Sequence, residues 1–274
     1  MKYIHISFDD VYSCLWDLTQ KEKTYTSIFE NAFLADLKLL HQRYQAVFSL
    51  YLFNKVDDCN FQLSDVTGKF FSEFAANSDW LKFGFHAEDE KTNYNTDGGI
   101  EQSYECFCSA IMNKLGGEKS LDYFTRLGFF SSTAENVMKL KKAPHGIIGL
   151  LSADDTRTSY SLERKENDEL LKRGALWKAK QNMLYIRSQK RLEAVSSTDE
   201  LIHIFSNSGV FENTEILEIF LHEYSYYDQL GIPQMLETCV KFAAKEGYHF
   251  DFLQNNYDII KADIISAQAD KAQI

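Results

Sequence analysis

Proline and glycine are scarce in this chain of 274 residues, which has two prolines and 13 glycines. Pro144 and Pro233 stand far apart, and no Ser/Gly-rich or low-complexity stretch divides the sequence. One domain over residues 1–274 is therefore expected, without internal repeats. No Gly-x-Gly-x-x-Gly or Walker loop is present, which argues against a dinucleotide or P-loop nucleotide site. The Gly-x-Ser-x-Gly elbow of serine hydrolases is missing as well. No apolar run approaches the ~18 residues of a membrane span. A charged, strand-like segment starts almost at Met1 where a signal peptide would lie, so a cytoplasmic protein is expected. Cysteine is sparse and odd in number, at five. Cys106-Phe107-Cys108 has the wrong spacing for a redox pair or zinc knuckle, and free buried thiols are expected.

What the chain has is acid. Forty Asp and Glu against 29 Lys and Arg give a net charge of −11, which repels a phosphate backbone and excludes nucleic acid as the expected partner. One segment runs the other way. Between Thr156 and Glu193 basic residues outnumber acidic ones by ten to five. Such a block is either a solvated helix with its flanks or a place for an anionic or phosphorylated partner.

Hydrophobic periodicity predicts alternating strands and helices. Strands are expected at Tyr3 to Phe8, Ala46 to Phe53, Leu81 to Phe85, Gly146 to Leu151, Met183 to Ile186, Leu201 to Phe205 and Leu217 to Leu221. Helices are expected at Phe29 to Tyr44, Asp65 to Asn77, Ile100 to Leu115, Asn167 to Lys180, Ile232 to Glu246 and Tyr257 to Ala267. This order gives a doubly wound sheet or a (β/α) barrel. Asp9-Asp10, His86, Asp154-Asp155 and His222 each follow the C-terminal end of an expected strand, and in a barrel those ends share one rim.

Two adjacent carboxylates at Asp9-Asp10 ionise together only at a cost unless a cation joins them. They therefore read either as metal ligand plus base or as a helix cap with a first-turn acid. His86 and Glu90, one helical turn apart, could reach one ion or belong to a solvated acidic turn. His145, between Pro144 and Gly146, suits a ligand contact or an ordinary loop. His222 is the best acid/base candidate because imidazole titrates near working pH. Aromatic residues make up 14% of the chain, enough for a large core or a sugar-stacking cleft. Tyr94, Trp177, Tyr224, Tyr226 and Tyr227 lie nearest the loops that would frame such a cleft.

Read together, Ser7-Phe8-Asp9-Asp10, His86 after a strand and Phe220-Leu221-His222 resemble the polysaccharide deacetylase family, the carbohydrate esterases with the NodB homology domain. The resemblance spans roughly Tyr3 to Tyr227. Ser7 replaces the threonine of the family's opening Thr-Phe-Asp-Asp. Glu90 stands where the second histidine of His-(Ser/Thr)-x-x-His would be, and the arginine-proline motif is not evident. The resemblance implies an α/β fold, a distorted (β/α) barrel of seven or eight mostly parallel strands. It implies one divalent metal ion, zinc, held by Asp10 and His86 with Glu90 or His145 as third ligand. Asp9 would be the base, Asp154 and Arg157 its orienting pair, and His222 the general acid. The implied activity is metal-dependent removal of an N-acetyl or related acyl group from an amino sugar or glycan intermediate. The alternatives are a catalytically silent barrel that binds carbohydrate or serves structurally, and a metallohydrolase of non-sugar amides or esters.

Overall fold

The computed structural model describes residues 1–205, 208–229 and 231–269. Its centre is a set of mostly parallel strands: β1 (Lys2–Val11), β2 (Phe48–Phe53), β3 (Leu81–Ala87), β4 (Phe124–Thr125), β5 (Gly149–Ser152), β6 (Ala175–Lys178), β7 (Met183–Arg187), β8 (Lys190–Arg191) and β9 (Glu215–His222). One arc runs β8-β9-β1-β2-β3 and the other β4-β5-β7-β6, with only β6 antiparallel in these two runs. On one side a backbone hydrogen bond joins the arcs, from the Asp122 amide to the Phe83 carbonyl at 2.7 Å. On the other the chain itself runs from β7 into β8, with the Ser188 amide donating to the Ser152 carbonyl at 3.3 Å and the Gln189 amide to the Glu218 carbonyl at 2.8 Å. The result is a distorted (β/α) barrel, as the sequence motifs imply.

All six side chains of β2 are buried, as the unbroken apolar run Phe48–Phe53 demands of a strand covered on both faces. β1 alternates. Ile4, Ile6 and Phe8 pack outward into the hydrophobic core under the helices, whereas His5, Ser7 and Asp9 hydrogen-bond across the interior to neighbouring strands. The barrel interior is therefore polar, which fixes the register because a slip by one residue would bury charge against the helices. Outside, the helix Ala32–Tyr44 places Phe33, Leu34, Leu37 and Leu40 inward at helical spacing. Asn31 starts it by accepting from the Leu34 amide at 3.2 Å. Among the described residues no helix is long and apolar enough to cross a membrane. All five cysteines are free: Cys14, Cys108 and Cys239 are buried, Cys59 is half-buried and Cys106 is exposed.

Three expected elements differ. Leu201 to Phe205 lies in a helix, Thr198–Phe205, because Leu201, Ile204 and Phe205 are buried at a spacing of 3.6 while Ile202 and His203 face out. Asn167 to Lys180 divides into the helix Arg164–Arg173 and the edge strand β6. Gly174, at φ +83°, ends the helix, a conformation glycine adopts without strain. Asp65 to Asn77 keeps only Phe71–Ala76 as α-helix.

Candidate functional site

A cleft of about 410 Å³ opens over the C-terminal ends of β1, β3, β5 and β9. Two backbone irregularities aim its reactive groups. β1 shifts register against β2 between Phe8 and Val11, and Asp10 takes φ 56° there. This bulge brings two adjacent carboxylates to one cavity, which a regular strand would send to opposite faces. A second shift pairs Leu52 with Phe85 and Phe53 with Ala87, leaving His86 unpaired between them. On the far side of β1, Asp9 stands directly opposite His222.

Asp10 lies between two imidazoles. His86 donates Nδ1–H to the Arg126 carbonyl, and its Nε2 is 3.1 Å from Asp10 Oδ1. His222 donates Nδ1–H to Glu193, and its Nε2 is 3.9 Å from Asp10 Oδ2. Burial opposes ionisation of Asp10, yet the His86 hydrogen bond and the two imidazoles hold its carboxyl below the usual range. Burial likewise disfavours the imidazolium of His86 and of His222. Asp10 outweighs this at His86 and Glu193 does so at His222, so both pKa values are raised.

Asp9 belongs to a different network. Its Oδ1 accepts from the fully buried Arg126 guanidinium at 2.6 Å. The same guanidinium holds Glu218 Oε1 at 2.6 Å and Ser188 Oγ at 3.0 Å, and lies under the Phe220 ring at 4.1 Å. Burial pushes the Asp9 carboxyl up, and Arg126 and the imidazoles recover only part of that. At Glu218 burial acts the same way, but Arg126 and His5 prevail and take it down to about 2.

Arg126, rather than Arg157, therefore pairs with Asp9. Arg157 pairs with Asp155 at 2.6 Å, and Asp154 accepts the Arg191 amide at 3.2 Å, both at the cleft's outer wall. Sequence reasoning missed Arg126 because its strand, β4, is two residues long; it still stands at a strand's C-terminal end, as the other site residues do. Glu193 was missed because it lies in a short 3-10 turn, Leu192–Ala194. Glu90 lines the cleft but is half-exposed beside Lys91 at 3.4 Å. His145 is not among the cleft's lining residues; its Nδ1 is 3.3 Å from Glu118. Of the expected framing aromatics, Tyr94 and Tyr226 are buried in the core and Trp177 packs under Lys261. Tyr224 remains at the rim, stacked on His222. Phe129, which the sequence did not single out, lines the cleft with 54% of its surface exposed.

The expected zinc ion is corrected by this geometry. Among the described residues no group of three or more His, Cys, Asp or Glu side chains is arranged to hold a metal ion. His86 and His222 approach different oxygens of Asp10, so the carboxylate separates the imidazoles and the three donors do not converge as a zinc site requires. Neither proposed third ligand completes the set. Metal-activated deacetylation, the leading expectation from the motifs, falls with the ligand set on which it depended.

No family model and no curated protein matches the sequence. Solved structures do match the fold. The Xyl-CE4 domain of a multidomain xylanase from the hindgut metagenome of Trinervitermes trinervoides aligns with TM-score 0.51 at 13% identity, over 95% of this chain and 91% of that one. A family 4 acetyl xylan esterase from Clostridium thermocellum, solved with a cobalt ion, aligns with TM-score 0.54 at 11% identity, over 94% and 91%. The chain thus has the fold of the family 4 carbohydrate esterases, the polysaccharide deacetylase barrel that its motifs resemble.

Proposed function

We propose that this barrel binds a saccharide, an acetylated amino sugar or a short glycan, in the cleft above Asp9 and Asp10, and that it does so without metal-dependent deacetylation. The observation that carries the reading is the cleft itself, in which an exposed Phe129 ring faces carboxylates and imidazoles at the strand ends. Sugar recognition needs an apolar surface for the C–H face of a pyranose, and donors and acceptors for its hydroxyls. Phe129 and Phe130 supply the first; Asp10, His86 and His222 supply the second. The acetyl xylan esterase and xylanase domain that share the fold make a carbohydrate the natural ligand class.

The test is calorimetric titration with chitotriose and xylotriose, paired with an assay of acetate release from acetylated forms with and without added zinc. Binding is expected, with acetate release at the buffer rate in both conditions. Phe129→Ala is expected to weaken binding roughly tenfold, the effect of losing part of one buried aromatic ring. Absence of binding to either sugar, or zinc-stimulated acetate release, overturns the proposal.

A further inference from the structure

The basic block of the sequence reaches this cleft. Arg157, Lys190 and Arg191 line it together with Asp89 and Glu90. Nearly all these charges already have a partner of opposite sign. Asp89 is 3.4 Å from Lys55, Glu90 is 3.4 Å from Lys91, Arg157 holds Asp155, and Lys190 is 3.0 Å from Glu200. At the base, Asp9 is held by Arg126 and Asp10 by His86.

Arg191 differs. Its side chain is 47% exposed, and its guanidinium makes no hydrogen bond among the described residues. The closest carboxylate is Glu193, 4.0 Å from Arg191 Nε, and the oxygen concerned is engaged by His222. Glu193's other oxygen is buried and has no partner, so the guanidinium does not turn to it. Asp154 accepts only the Arg191 backbone amide. A planar fork of donors thus has only this one long ion pair and no hydrogen bond among the described residues, whereas the cleft's other cations are closely engaged, and such a fork matches the paired oxygens of a carboxylate or phosphate.

We infer that the saccharide bound here carries an anionic substituent, and that Arg191 is the residue that reads it. The inference rests on the saccharide reading above and narrows it to acidic sugars. The test titrates the whole protein with N,N′,N″-triacetylchitotriose as the neutral ligand, trigalacturonate as the carboxylate and N-acetylglucosamine 6-phosphate as the phosphate. At low salt one acidic ligand is expected to bind roughly tenfold more tightly than the neutral one, the effect of a charge-assisted hydrogen-bonded pair. The arm that shows the preference identifies the source of the anion. High salt should reduce the preference. Arg191→Gln should abolish it, bringing the acidic ligand down to the affinity of the neutral one, and Arg191→Lys should retain part of it. Equal affinity for neutral and acidic sugars, a preference that survives Arg191→Gln, or equally tight binding of inorganic phosphate alone overturns the inference while leaving the saccharide reading intact. Failure of every saccharide to bind overturns both.

Discussion

Phe129 and Phe130 occupy the left-handed region in succession, at φ 58° and 54°. Each such bulky residue costs about 1–2 kcal/mol relative to ordinary backbone. A second pair, Tyr160 and Ser161 at φ 55° and 51°, packs against the first, and the Tyr160 amide donates to the Phe130 carbonyl at 2.9 Å. Phe129 is mostly exposed, so burial does not offset its strain; the return is an aromatic ring at the mouth of the cleft. Phe129→Gly should therefore raise stability by ~1 kcal/mol in urea unfolding while weakening saccharide binding. A destabilised variant with unchanged affinity would show that the strained turn serves the fold. At this scale the sequence was readable where a candidate residue stands in the last residues of a long strand, as Asp9, Asp10, His86 and His222 do. It was unreadable where backbone strain does the positioning, since nothing in Gly128-Phe129-Phe130 announces a positive φ at phenylalanine.

Strands place the site through small departures from regularity. β1 and β3 could be read from their apolar runs, but the register shifts that turn Asp10 and His86 into the cleft depend on partner strands remote in sequence. The same limit explains the helix–strand misassignments. Leu201 to Phe205 is too short for its period to be separated from a strand, and its helical state follows from Asp199 and Glu200 in the first turn. Gly149 shows how tightly the elements close. A Cβ there would lie 2.1 Å from the Phe124 ring, itself fully buried between the arcs. Gly149→Ala should cost ~1–3 kcal/mol by overpacking, read as a lower urea midpoint at unchanged slope. Gly98, with open space around its Cβ position, is the control, and Gly98→Ala should leave the midpoint close to that of the parent. Equal midpoints for the two variants would mean that β4 yields to the added methyl.

Across the whole barrel, the interior is held by charge rather than by hydrocarbon alone. Arg126 joins Asp9 to Glu218, Glu218 accepts from Ser7 at 3.0 Å, and His5 lies 3.6 Å from Glu218 and 3.7 Å from Asp122. The pattern was half visible in the sequence. His5, Ser7 and Asp9 alternate along β1, but the groups that pair with them, flanking β4 and on β9, are remote in sequence and give no local signal. Removing the Glu218 charge leaves the buried guanidinium of Arg126 with Asp9 as its one carboxylate, and breaking a buried pair in this way costs about 3–5 kcal/mol. Glu218→Gln should therefore be less stable than the parent protein at pH 7 by that order. The pH dependence has a definite sign. The Glu218 carboxyl is held at about 2 in the folded protein, below its ordinary 4.5, so its stabilisation is present above pH 4.5 and is lost as pH falls toward 2. Urea unfolding of both proteins at pH 7, at pH 4.5 and near the folded pKa should show the gap between them closing across that window, because protonated glutamate and glutamine alike leave Arg126 without the Glu218 charge. A gap that stays constant with pH would place the effect of the substitution in packing, and the barrel's polar interior would then owe its order to shape rather than to charge.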